Sequence, residues 1–170
     1  NIDYKLTQTL TTHVGVRYTD FDGSSAACTR DAGDGTLVAI SSGFSGLVRG
    51  GLGYAPVSFT NGECITLDNR DPTDPATYYT PGLQKFRLKE DNVSWRAGLD
   101  YKPFDDLLLY LNVAKGYKAG QFPTLQANLR SQLTPAVQES VLAYEAGAKY
   151  SLPGGTMQIN GAVVFYDYKD

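Results

Sequence analysis

The stretch Val93-Ser94-Trp95-Arg96-Ala97-Gly98-Leu99-Asp100-Tyr101-Lys102 alternates without an error: odd positions are apolar or aromatic, even positions polar, charged or glycine. Successive side chains leave a pleated strand on opposite sides, so a period of two commits this stretch to a strand with one apolar and one polar face. Pro103-Phe104-Asp105-Asp106 has turn chemistry, and Leu107, Leu109, Leu111 and Val113 line one side of a return arm that reaches Tyr117. The medium met by the apolar face decides what such a hairpin is for.

The same alternation recurs along the chain. Ile2, Tyr4 and Leu6 alternate with Asp3 and Lys5 before a turn at Thr7-Gln8-Thr9. Leu10, Thr12, Val14, Val16 and Tyr18 oppose Thr11, His13, Gly15, Arg17 and Thr19, and Asp20-Phe21-Asp22-Gly23 predicts the end of that strand. Glu139 to Tyr150 sets Leu142, Tyr144, Ala146, Ala148 and Tyr150 against Glu139, Glu145, Gly147 and Lys149. After Leu152-Pro153-Gly154-Gly155, the sixth strand carries Met157, Ile159, Gly161, Val163 and Phe165 on one side.

Two long polar stretches interrupt the pattern, about residues 20–92 and 118–138. The first contains Gly50-Gly51, Asp71-Pro72, Asp74-Pro75 and Pro81-Gly82, all strong breakers. Thr36 to Ile40 and Gln84 to Lys89 are expected to be short strands within it. Phe86 and Leu88 fall on even positions, so a bulge or loop near Glu90 to Asn92 is expected to absorb the change of phase. The abrupt alternation at Asn1 and after Phe165 reads as an internal piece of a larger chain.

The connections thus run short, long, short, long, short. Up-and-down strands with this asymmetry match an outer-membrane β-barrel, whose periplasmic turns are short and extracellular loops long. A tilted spanning strand needs about 9–11 residues, which these provide. Tyr101, Phe104 and Tyr150 lie near the short-turn end, and Tyr18, Trp95 and Tyr117 near the other, as two interfacial girdles would. Lys115 shares the apolar side with Leu111 and Val113. It falls about 20 Å up an apolar band about 25 Å tall. A lysine at that height costs about 0–1 kcal/mol, because its head can snorkel outward.

Composition excludes other classes. A net charge of -3 gives no concentrated basic surface for nucleic acid. His13 as the lone histidine, with two distant cysteines, cannot build an ordinary structural zinc site. Gly43-Phe44-Ser45-Gly46 falls short of a nucleophile elbow, and Gly50-Gly51-Leu52-Gly53 lacks the Lys-Ser/Thr of a phosphate loop. Asn92-Val93-Ser94 matches a glycosylation sequon, a three-residue pattern that recurs by chance. Asp20, Asp22 and the Asp68–Asp74 cluster could ligate calcium, but no twelve-residue loop with a closing Glu surrounds them, and turn formation is the simpler use. No catalytic constellation, metal site or cofactor is expected.

Several stretches resemble a known family. Asn92 to Pro103, running into Leu108-Leu109-Tyr110-Leu111-Asn112-Val113-Ala114-Lys115-Gly116-Tyr117-Lys118-Ala119-Gly120, resembles the barrel of TonB-dependent outer-membrane receptors with its KGYKxG strand exit. Glu139-Ser140 with Tyr144-Glu145-Ala146-Gly147-Ala148-Lys149 is similar to their ExxxxYExGxK strand. Gly15-Val16-Arg17-Tyr18-Thr19-Asp20 and Phe165-Tyr166-Asp167-Tyr168-Lys169-Asp170 resemble two further strand segments, in the family's order. The resemblance implies an all-β, antiparallel up-and-down transmembrane barrel segment of about six strands. It also implies a separate plug domain, further barrel strands, surrounding outer-membrane lipid and energy from the TonB complex. Its cargo would be a scarce nutrient such as ferric siderophore, haem, vitamin B12 or glycan. A passive porin, or a secreted all-β binding module or enzyme, is the alternative.

Within that frame, Cys28 and Cys64 are expected to form a disulfide pinning the first loop, since a cysteine pair in an exported protein favours one. Arg17, Arg96, Asp100, Lys102, Glu145 and Lys149 are expected to face the lumen. Arg49, Tyr54, Tyr78, Tyr79, Tyr117 and Lys118 are the loop residues expected to meet cargo, because binding sites favour loops on rigid scaffolds.

Overall fold

The computed structural model describes residues 1–169; Asp170, which closes the motif starting at Phe165, lies outside the described residues. Six strands form one antiparallel sheet in sequence order, β1-β2-β3-β4-β5-β6. They are β1 (Ile2–Lys5), β2 (Leu10–Ala27), β3 (Gln84–Phe104), β4 (Leu107–Lys118), β5 (Glu139–Ser151) and β6 (Gln158–Lys169). The sheet does not close on itself within the described residues. An up-and-down meander of alternating strands is what the period-two pattern calls for.

The chain resolves into two units. One holds residues 1–21, 89–120 and those from Val137 on; the other holds Asp22–Leu88 and Gln121–Ala136. The first is the sheet proper. Its register aligns Leu99, Leu111, Ala146 and Val163 in one row, and Ala97, Val113, Tyr144 and Phe165 in the next. These rows share a face that no other described residues cover: Leu111 is 57% exposed and Val163 78%. Among the described residues the buried apolar ones are Ile65, Leu67, Leu88 and Leu133, all in the second unit. A sandwich would bury the apolar rows against another layer; here they are left exposed.

The short turns have local causes. Thr7 accepts the Thr9 and Leu10 N–H groups on its hydroxyl, at 3.2 and 3.1 Å. Asp105-Asp106 alone joins β3 to β4, since β3 runs through Pro103 and Phe104. At the β5–β6 turn Gly154 and Gly155 have φ of 85° and 69°, a region that side-chain-bearing residues avoid.

Three expectations are corrected. Thr36 to Ile40 is the first turn and more of a helix, α1 (Thr36–Gly51), not a strand. Its polar residues Ser41, Ser45 and Arg49, spaced by four, are buried, while Ile40, Phe44 and Leu47 are exposed. The burial of this stripe decides the conformation, overriding four helix-weakening glycines at 43, 46, 50 and 51. Second, β2 does not stop at Asp20 but continues to Ala27, and Gln84–Lys89 is the start of β3 rather than a separate strand. In the second unit Arg87 donates from Nε and Nη2 to the two carboxylate oxygens of Asp22, so a residue with turn chemistry is held in a paired ribbon. Third, of the bulge or loop expected near Glu90 to Asn92, the loop is ruled out, because β3 runs unbroken through these residues.

Candidate functional site

The polar face of the sheet carries a connected set of side chains. His13 sits between two carboxylates, Nδ1 at 2.9 Å from Asp3 Oδ1 and Nε2 at 3.1 Å from Asp100 Oδ2, tying β1, β2 and β3 together. Asp100 pairs with Tyr110 in the register, and Tyr110 with Gly147. Tyr110 lies across Gly147: a Cβ there would fall 2.4 Å from its Cζ. In that position its hydroxyl donates to Glu145 at 2.9 Å, and the Lys149 ammonium stands 5.7 Å from its ring centroid. Glu145 and Lys149 of the Tyr144-Glu145-Ala146-Gly147-Ala148-Lys149 stretch therefore both serve one aromatic residue on β4, the preceding strand. Gly98 makes room for Asn112 in the same way, a Cβ there falling 2.3 Å from its Oδ1.

Of the six residues expected on this face, Asp100, Glu145 and Lys149 are in that set. Arg96 lies against Gly15, where an added Cβ would be 3.2 Å from its Cγ, and shares a depression with Arg17. Lys102 has the parity of Arg96 and Asp100 but joins no side-chain contact among the described residues. His13, Asp3, Tyr110 and Asn112 were not among the residues expected to form this site. Only their parity marked them, because cross-strand partners depend on register.

At the long-loop end Glu90 acts as a clasp. Its Oε2 accepts the Gly120 N–H at 2.9 Å and its Oε1 the Gln138 N–H at 2.6 Å, so one carboxylate ties together the two ends of the second loop. The Asn92 amide adds a bond to Gln138 at 3.2 Å, and Lys118 pairs with Glu139 at 3.3 Å. Tyr117 lies beneath the Lys115 ammonium, 5.3 Å from its ring centroid, which gives that cation a partner on the apolar side.

The second unit is built around its own polar and apolar interior. Cys28 and Cys64 are bonded as a disulfide. Beside them Thr29 and Thr66 both donate their hydroxyls to the Ala127 carbonyl at 2.8 Å. Asp31 caps α1 from outside it: Oδ1 accepts from Gly33 and Gly35, Oδ2 from Leu37 and Val38, and these backbone donors, Gly35 first, hold its pKa below the usual carboxylate value. Arg49 is 3% exposed and spends its guanidinium on the carbonyls of Ala55 at 2.8 Å, Tyr78 and Pro75 at 3.0 Å. It is the internal brace of the unit and offers nothing to solvent.

Tyr54 donates to Pro72 O at 2.8 Å, and Tyr78 and Tyr79 meet edge to face at 4.8 Å. Tyr79 has φ of 55°, a left-handed conformation held by its N–H on Asp68 O and by Ser45 donating to its carbonyl at 2.6 Å. Of the aspartates weighed for calcium, Asp71 and Asp74 accept from Thr73, Ala76 and Thr77 in Asx turns, Asp68 grips Arg70, and Asp22 pairs with Arg87. Among the described residues no group of three or more His, Cys, Asp or Glu could hold a metal ion.

An unclosed antiparallel meander with an outward apolar face, a networked polar face and long loops at one end is the wall of a membrane β-barrel. The family model described as "TonB dependent receptor-like, beta-barrel" matches residues 1–170, and the chain belongs to that family. It is a receptor and transporter family, and its barrels are outer-membrane proteins. Comparison with curated proteins and with solved structures finds no match.

Proposed function

We propose that this chain is part of the wall and outer loops of a receptor that takes up a scarce nutrient across the bacterial outer membrane, energised through TonB. The family match over residues 1–170 carries this reading. In it the apolar rows through Leu111 and Val163 meet lipid, and the polar face with Arg17, Arg96, Asp100, Lys102, Glu145 and Lys149 lines the lumen or docks a plug domain. The short turns are periplasmic, and residues 28–83 and 119–138 are the extracellular loops. Tyr54, Tyr78 and Tyr79 in the first loop and Lys118 at the end of β4 are the cargo contacts, whereas Arg49 serves the loop's interior and Tyr117, also at the end of β4, turns to the apolar side under Lys115. The cargo is a ferric siderophore, haem, vitamin B12 or a glycan. A passive porin has the same kind of wall, and energy coupling separates the two. Growth of the native host on single iron or carbon sources, with the gene intact or deleted and with TonB present or absent, tests the reading. Uptake that needs both gene and TonB is expected; uptake that persists without TonB would establish a passive pore.

A further inference from the structure

The second unit holds a basic pocket. The pocket has a volume of about 320 Å³ and is lined by Asp68, Arg70, Thr80, Gln84, Lys85 and Arg130, among others. Three cations against one carboxylate leave a formal +2 in a chain whose net charge is -3. Each arginine is held in place. Arg70 grips Asp68 through Nε, at 2.9 and 3.1 Å, and through Nη2. Arg130 donates from Nη1 to Gln84 Oε1 and from Nη2 to the Lys85 carbonyl, both at 2.9 Å, and stacks 4.3 Å from the Phe86 centroid.

These anchors leave donors over. Arg70 Nη1, Arg130 Nε and the Lys85 ammonium make no protein hydrogen bond among the described residues. Burial, then the Arg70 charge, lowers the pKa of Arg130 below its usual value, as expected of like charges gathered where water is partly excluded. Fixed guanidinium forks beside an exposed ammonium form a site preorganised for a planar or tetrahedral oxyanion.

We infer that Arg70, Lys85 and Arg130 form a binding site for an oxyanion group, a carboxylate or phosphate carried by the cargo or by a lipid headgroup. The inference rests on the receptor reading only for the source of the anion. The test uses the complete receptor purified in detergent, titrated calorimetrically at low salt with citrate, inorganic phosphate and lipid A in mixed micelles. At least one probe is expected to bind and to weaken as salt rises. Lys85→Gln, which removes no internal contact, is expected to weaken it roughly tenfold, the size of one charge-assisted hydrogen bond. The double change Asp68→Asn with Arg70→Gln, which leaves no unpaired carboxylate, is expected to weaken it as well, while Lys115→Gln has no effect. Soluble probes binding without lipid A point to cargo, and lipid A alone to the membrane. Failure of all three probes on a receptor with its disulfide intact would overturn the site, as would unchanged affinity in Lys85→Gln. TonB-dependent growth together with such a failure would leave the receptor reading standing, and anion binding without TonB-dependent growth would leave only the site.

Discussion

The two units of this chain solve opposite problems. The sheet keeps its polar groups together and turns its apolar rows outward, with Leu111 and Val163 more than half exposed. The loop unit does what a protein in water does: it buries Ile65, Leu67 and Leu133, satisfies Arg49 with carbonyls and closes a disulfide. The difference shows that exposure of an apolar residue has no meaning until its solvent is known. In water the sheet's exposed rows would be an aggregation hazard; in lipid they are what holds a spanning strand in place.

The comparison can be broken on either side. The largest effect is expected from opening the disulfide. Cys28→Ser with Cys64→Ser releases a loop with a sequence separation of 36 and should destabilise the second unit by about 4 kcal/mol in the chain-entropy model. Limited proteolysis should then cut within residues 28–83, while the heat-modifiable gel shift of the barrel stays unchanged. Next, Val163→Arg places a charge in a central apolar row and should cost the barrel about 2–4 kcal/mol in urea titrations in lipid vesicles. Asn112→Arg on the opposite face should cost much less, because lumen substitutions meet polar surroundings.

A smaller effect sharpens the account of the polar face. Gly147→Ala should displace the Tyr110 ring and its bond to Glu145, at about 1–2 kcal/mol. In the Gly147→Ala background, Tyr110→Phe should add little, so a double-mutant cycle reads the coupling. The smallest effect is on pH. The hydrogen bond from Arg70 lowers the Asp68 pKa below its ordinary 3.8. A carboxylate whose folded pKa is depressed stabilises the fold above its unfolded value and loses that contribution as pH falls through the folded one. Protease resistance of the loop unit should therefore be flat above pH 3.8 with respect to this pair and weaken below it.

The sheet was legible in the sequence because a period of two is a local property: the faces of β3, β4, β5 and β6 follow from parity alone. The loop unit was less so. The Thr36-Leu37-Val38-Ala39-Ile40 run has strand-forming residues, and what makes it helical is burial of the Ser41, Ser45 and Arg49 stripe, with Ser45 and Arg49 bonded to distant carbonyls, which no local rule reports. Asp22 and Gly23 have turn chemistry yet lie inside β2, because Arg87 on β3 holds Asp22. The same limit applies to function. Parity marked Asp100 and Glu145, but their partners His13 and Tyr110 became evident only once register was fixed. Arg49 looked like a cargo contact and proved to be an internal brace, since exposure cannot be read from a glycine-rich stretch.

The central claim is that the apolar rows of the sheet meet lipid and the polar face meets water. Single spin labels placed at Leu111, Val163, Asn112 and Lys149 of the complete receptor in liposomes test it through relaxation by oxygen, which concentrates in lipid, and by a water-soluble nickel chelate. The account predicts oxygen-dominated relaxation at Leu111 and Val163 and chelate-dominated relaxation at Asn112 and Lys149. Chelate access at Leu111 and Val163 equal to that at Asn112 would contradict it.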